Sequence, residues 1–138
     1  MAEKYYIDTS IGIDLLDNRK GYNGEPLRDY ALKLFASIKV NGRILIISDL
    51  LIRELEAYYS LEEINGMILP LQKIIEKIIA TKKQRVEARK IAEERNLPPG
   101  DCLHAIIARD EDLILVTRDK DFRLLRDIAE HYKPEELI

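Results

Sequence analysis

Leu113-Ile114-Leu115-Val116-Thr117-Arg118-Asp119 is the stretch that decides how the chain is read. Four apolar residues, too few to prefer a helix, run straight into a polar turn, which is the pattern of a short strand buried on both faces. The same pattern recurs upstream. Lys4 to Ile7 ends at Asp8, and the β-branched run Ile44 to Ile47 ends at Ser48-Asp49. A weaker fourth strand lies near Lys77 to Ala80, although Ile74, Ile75, Ile78 and Ile79 also fit one face of a helix.

Helical patterns fill the intervals. Leu27, Tyr30, Ala31, Leu34 and Ile38 form one stripe of a helix over 27–38. A second helix follows the middle strand directly, from Asp49 to Ser60. Thr81-Lys82-Lys83-Gln84 has the capping-box form and starts a helix running to about Asn96. Leu97-Pro98-Pro99-Gly100 breaks the chain, and Asp101 opens another helix through Ala108. Asn18 to Glu25, with Gly21, Asn23 and Gly24, is a flexible loop. Strands alternating with helices predict a parallel sheet covered on both faces, whose ligands bind beyond the carboxyl ends of the strands.

Composition sets the outer limits. The chain has 138 residues, 46% hydrophobic and 34% charged, which suits one domain over residues 1–138 and excludes disorder. Apolar runs are far too short for a membrane span, and the N-terminus lacks a signal-peptide pattern, so a cytoplasmic protein is expected. Cys102 is the only cysteine, which rules out an internal disulfide or a cysteine zinc cage. Net charge is −3, with no overall pull toward nucleic acid. Local runs differ: Lys82, Lys83, Arg85, Arg89 and Lys90 oppose only Glu87, and Arg118, Lys120, Arg123 and Arg126 surround Asp119 and Asp121.

Asp8, Asp49, Asp101 and Asp119 all fall at the predicted carboxyl rim of the sheet. Each has an ordinary reading: Asp8 and Asp101 as helix caps, Asp119 as a turn residue. Glu54 is less ordinary. Leu51, Glu54, Leu55 and Tyr58 share one helical face, so a carboxylate sits on a core-facing stripe, where it needs a partner: a salt bridge to an arginine or a bound cation. Carboxylates that converge either take up protons, meet cationic side chains such as Arg53 or Arg118, or enclose a metal, and oxygen-only ligation suits magnesium or manganese.

Four segments together resemble the motifs of the PIN domain, and most closely the small, VapC-like prokaryotic PIN ribonucleases. They are Ile7-Asp8-Thr9-Ser10, Leu50-Leu51-Ile52-Arg53-Glu54-Leu55, Pro99-Gly100-Asp101-Cys102-Leu103-His104-Ala105 and Leu115-Val116-Thr117-Arg118-Asp119-Lys120-Asp121-Phe122. The resemblance covers nearly the whole chain. It implies a three-layer α/β/α sandwich with a central, mostly parallel sheet. It also implies an acidic quartet, Asp8, Glu54, Asp101 and Asp119, acting as catalytic residues and as ligands of one or two Mg2+ or Mn2+ ions, with Asp121, Thr117 and Thr9 in auxiliary roles. Many members of the family dimerise and are toxins held inactive by a cognate antitoxin protein. The interval from Asp8 to Glu54, 46 residues (54 − 8), is long for a compact toxin, and the excess falls in the 18–25 loop.

The expectation is a metal-dependent endoribonuclease, the toxin of a type II toxin–antitoxin pair, that leaves 5′-phosphate and 3′-hydroxyl ends on its RNA. Arg85, Arg89 and Arg118 are the expected RNA contacts. His104, three residues after Asp101, reads as a packed or hydrogen-bonded histidine rather than a ligand, and Cys102 as a small buried residue. With only His104 and His131 present, a metal-free, histidine-based ribonuclease is disfavoured. Tyr5, Tyr6, Tyr58 and Tyr59 could stack on RNA bases, although core packing is the expectation for most of them. Four alternatives remain, one of them a DNA-directed, flap-type activity within the nuclease reading. An RNA-processing PIN nuclease needs no antitoxin, and a silent PIN-like module would bind without cutting. An aspartyl phosphotransferase of the haloacid dehalogenase type would want an Asp where Ser10 stands.

Overall fold

The computed structural model describes residues 3–138. Five strands form one sheet in which every neighbouring pair is parallel. In chain order they are β1 (Lys4–Ile7), β2 (Ile44–Ser48), β3 (Ile75–Ile78), β4 (Ile114–Val116) and β5 (His131–Tyr132), and their spatial order is β3-β2-β1-β4-β5. The helices are α1 (Thr9–Asp17), α2 (Leu27–Val40), α3 (Asp49–Glu56), α4 (Leu61–Ile68), α5 (Lys82–Arg95) and α6 (Pro99–Asp110), with short 3-10 turns at Leu69–Leu71, Lys120–Leu125 and Pro134–Glu136.

Alternation along β1 sorts the core into two layers, because successive side chains leave opposite faces of a strand. Tyr5 and Ile7, with Leu45, Ile47 and Val116, pack under α1 to α4 against Ile11, Leu34, Phe35, Ile38, Leu51, Leu55 and Ile64. Tyr6, Ile46 and Leu115 pack on the other face against Ala88, Ala92, Cys102, Leu103, Ile106, Phe122 and Leu125. Helix α6 is buried along its whole length from Cys102 to Ala108, Cys102 included. The result is the expected α/β/α sandwich. No helix is long and apolar enough to cross a membrane among the described residues.

The ambiguous segment is a strand. Ile75 to Ile78 pair with Leu45 to Ser48, an edge that β2 would otherwise leave open, two residues earlier than the expected Lys77 to Ala80. The helix expected to reach Ser60 stops at Glu56, and Ser60 instead caps α4: its hydroxyl accepts from the Glu63 N–H while Glu63 accepts from the Ser60 N–H. α6 opens at Pro99 rather than Asp101, because a proline at the first helical position has its φ already set and no N–H to leave unpaired. The capping box at Thr81 and the left-handed end at Asn96 bound α5 as read from the sequence.

β1 sends the chain toward β2 and β4 sends it toward β5, so the sheet order reverses between the carboxyl ends of β1 and β4. A crevice opens at such a reversal. Asp8 follows β1 at that point, and Thr117 to Asp119 follow β4.

Candidate active site

A cavity of about 340 Å³ lies in this crevice, lined by Asp8, Glu54, Asp101, Asp119 and His104, with Thr9, Ser10, Arg19 and Arg118 at its border. Four segments far apart in the chain therefore meet at one place, and the acids expected to converge all face it.

Asp8 is 3% exposed, and although it precedes α1 its side chain caps nothing. Ser10 Oγ donates to its Oδ1 at 2.6 Å and Thr117 Oγ1 to its Oδ2 at 2.7 Å. Burial pushes its carboxyl above the ordinary range, while His104 and the two hydroxyls pull the other way. Thr117 also accepts from the Asp119 N–H at 3.0 Å, tying the end of β1 to the turn after β4.

Glu54 is positioned rather than buried outright. Thr9 Oγ1 donates to its Oε1 at 2.6 Å, and His104 Nε2 lies 2.8 Å from the same oxygen. Burial would raise this carboxyl, but the hydrogen bond and charge of His104, with Thr9, outweigh it and hold Glu54 below the ordinary range. His104 is itself 1% exposed, with its Nδ1 2.6 Å from the Tyr6 hydroxyl, which contacts Ser48 Oγ at 2.8 Å. Burial above all keeps Tyr6 protonated. Its hydroxyl and Nδ1 share one hydrogen bond, and Nε2 is left to donate to Glu54 Oε1. Gly100 completes the fit, since a Cβ there would collide with Glu54 Oε2. Tyr6 and Ser48 were not foreseen in this role; a tyrosine at a buried strand position carries a hydroxyl that must find a partner, which was the available signal.

Asp101 is the unsatisfied member. Its Oδ2 is buried without a hydrogen-bond partner, and its carboxyl is pushed up to about 7 by burial and then by the charges of Asp119 and Asp8. Asp119 does act partly as a turn residue, its Oδ1 accepting from the Asp121 N–H at 2.9 Å. Asp101, Asp119 and Asp121 each offer an oxygen within 4.8 Å of the others, a spacing that can hold a metal ion, so Asp121 stands closer to that group than an auxiliary role implied. An orphaned buried carboxylate oxygen beside two more carboxylates fits a hard divalent cation, which takes oxygen ligands.

The expected RNA contacts are placed differently. Arg118 borders the cavity, but its guanidinium is spent: Nε donates to Asp14 at 2.9 Å, Nη1 and Nη2 donate to Glu135 at 2.9 and 2.8 Å, and the group lies 5.7 Å from the centre of the Tyr30 ring. Arg85 sits 3.7 Å from Asp49 on the far flank, and Arg89 is exposed further along α5; neither lines the cavity. Asp49 itself is structural, accepting from the Ala80 N–H at 2.9 Å.

A parallel sheet with carboxylates gathered at its reversal point defines an α/β protein with an acidic crevice. The PIN domain family matches residues 5–128, and the chain belongs to that family, whose members are generally nucleases. Its fold is similar to a chain of the crystal structure of VapBC2 from Rickettsia felis bound to a DNA fragment from their promoter, at 19% identity and a TM-score of 0.64, covering 94% of this chain and 98% of that one. It is also similar to the crystal structure of PAE2754 from Pyrobaculum aerophilum, at 20% identity and a TM-score of 0.58, covering 99% and 95%. No curated protein matches this chain significantly.

Proposed function

We propose that the protein is a divalent-metal-dependent endoribonuclease and the toxin of a toxin–antitoxin pair. The observation that carries the nuclease reading is the gathering of Asp8, Glu54, Asp101 and Asp119 in one cavity with the buried Asp101 Oδ2 unpartnered. RNA as the substrate and the homodimer are supported by the family resemblance, Mg2+ or Mn2+ by the oxygen-only donor set, and the cytoplasm by the sequence pattern. The pairing with an antitoxin is supported by the likeness to VapBC2.

Asp101, Asp119 and Asp121 would hold the ion, and Asp8 and Glu54 line the same cavity as Asp101 and Asp119. When bound there, a divalent ion would supply Lewis acidity toward water and toward the charge of a phosphodiester. The chain's own part is positional. Ser10 and Thr117 clamp Asp8, while Thr9 and His104 occupy Glu54 Oε1 and leave Oε2 toward Gly100. Asp101 keeps a carboxyl that is poor at holding its charge until a cation arrives.

The test incubates the full chain with unstructured and structured RNA in Mg2+, in Mn2+ and in EDTA, beside Asp101→Asn. Cleavage to 5′-phosphate ends that requires the ion and disappears in the variant supports the reading. Cleavage that persists in EDTA overturns it. Growth arrest on expression, relieved by a protein encoded next to it, tests the toxin role.

A further inference from the structure

A second cleft of about 510 Å³ adjoins the acid cavity and shares Arg19 and Arg118 with it. Its lining is cationic: Arg19, Lys20, Arg118, Lys120 and Lys133 oppose only Glu25 and Glu135. The charges differ in availability. Arg19 and Arg118 are both bound to the fully buried Asp14, and Glu135 is consumed by Arg118. Glu25 is turned into its own loop, accepting from the Asn23 N–H at 3.1 Å. Lys20, Lys120 and Lys133 are exposed, and among the described residues no carboxylate lies within 4 Å of their ammonium groups.

The wall of this cleft is the 18–25 loop, and it is built rather than slack. The Gly21 N–H donates to the Glu25 carbonyl and the Gly24 N–H to the Gly21 carbonyl, both at 2.9 Å, and Lys20 bridges to Pro26. Gly24 has φ +81°, and a Cβ at Gly21 would collide with the Glu25 carboxylate. A loop that satisfies its own backbone in this way holds up Tyr22, whose side chain is fully exposed and packs on nothing. A solvated aromatic ring flanked by unpaired lysines, next to a cavity suited to a phosphodiester, has the chemistry of a single-strand platform: bases stack on the ring and phosphates meet the ammonium groups.

We propose that this cleft is a binding subsite for the single-stranded polynucleotide leaving the acid cavity, with a base stacked on Tyr22 and phosphates along Lys20, Lys120 and Lys133. The proposal rests on the nuclease reading for the direction of the strand, and its test is kept separate by measuring binding without cleavage. The full chain in EDTA is titrated against a fluorescent single-stranded oligouridylate, and anisotropy is read across a salt series. Tyr22→Ala weakens binding about tenfold, and Tyr22→Phe restores it. Replacing Lys20, Lys120 and Lys133 together by Ala makes the slope of log affinity against log salt shallower by about 2. Wild-type levels of binding in both variants overturn the subsite, as does absence of binding by the native chain, and either can occur while metal-dependent cleavage persists. Equal binding of duplex RNA or of a polyglutamate peptide also overturns it. If the variants behave as expected but no RNA is ever cleaved, the subsite stands and the nuclease reading falls.

Discussion

A single buried carboxylate and a cluster of buried and half-buried ones lie near each other in this protein and are stabilised in opposite ways. Asp14, fully buried on α1, has a guanidinium on each oxygen: Arg19 at 2.8 Å and Arg118 at 2.9 Å. The acid cavity nearby gathers Asp8, Glu54, Asp101 and Asp119, and among the described residues His104 is the one basic side chain hydrogen-bonded to this quartet, at Glu54 Oε1. Burying charge is costly in either place, and it is offset by ion pairing or by proton uptake. Around Asp14 the protein supplies its own cations. Around Asp101 it leaves a carboxyl held near 7 and an unpartnered oxygen, a place for a cation from outside. The difference separates a carboxylate satisfied by the fold from one the fold leaves unsatisfied.

The comparison can be broken most forcefully at Asp14. Asp14→Ala strips one of two carboxylate partners from Arg118, whose side chain is only 12% exposed, and, among the described residues, the sole ion-pair partner from Arg19, and is expected to destabilise the protein by about 3 kcal/mol in thermal or urea melts. Asp101→Asn is expected to act with the opposite sign. Because the folded carboxyl sits near 7, well above its unfolded value, its protonated form contributes stability that is full below about pH 4 and lost as pH rises through 7. Asparagine keeps the neutral form. In EDTA at pH 8 the variant should therefore melt roughly 5 °C above wild type, and the gap should close at pH 4. A variant that melts lower at both pH values would contradict this account of the cavity.

Subtler changes sharpen the picture. His104→Ala removes the group that occupies Glu54 Oε1, and Mn2+ affinity measured by calorimetry should fall about tenfold. Affinity in the native chain should also drop as pH falls below about 7, because Asp101 must release its proton to bind the ion. Gly100→Ala forces Glu54 Oε2 to move and should lower activity several-fold while α6 and the melting temperature stay nearly unchanged, which a cleavage assay beside circular dichroism would read.

Much of the architecture was open to sequence reading because short apolar runs have few alternatives: β1 was placed at its true ends and α5 between its true caps. The segments that resisted were those whose periodicity is indifferent. Ile74 to Ile79 suit either a helix or a strand, and the free edge of β2 makes the choice. α4 was not distinguished from α3 because Ala57 to Ser60 carry neither Gly nor Pro, and β5, two residues long, has no periodicity to detect. Arg118 was drawn to RNA by its place in a basic run, whereas the fold turns it onto Asp14, which lies 104 residues earlier.

The residue types at the ends of the apolar runs determined by themselves that acids would cluster at one rim, since a strand of known direction delivers its next residue to a known edge. Which of those acids are satisfied, and by what, was decided only in three dimensions. The hydroxyls on Asp8, the Tyr6–His104 support behind Glu54 and the orphaned oxygen of Asp101 depend on contacts between segments that local pattern does not relate. Hydrogen bonds and desolvation act over a few ångströms in space, and sequence distance carries no record of that.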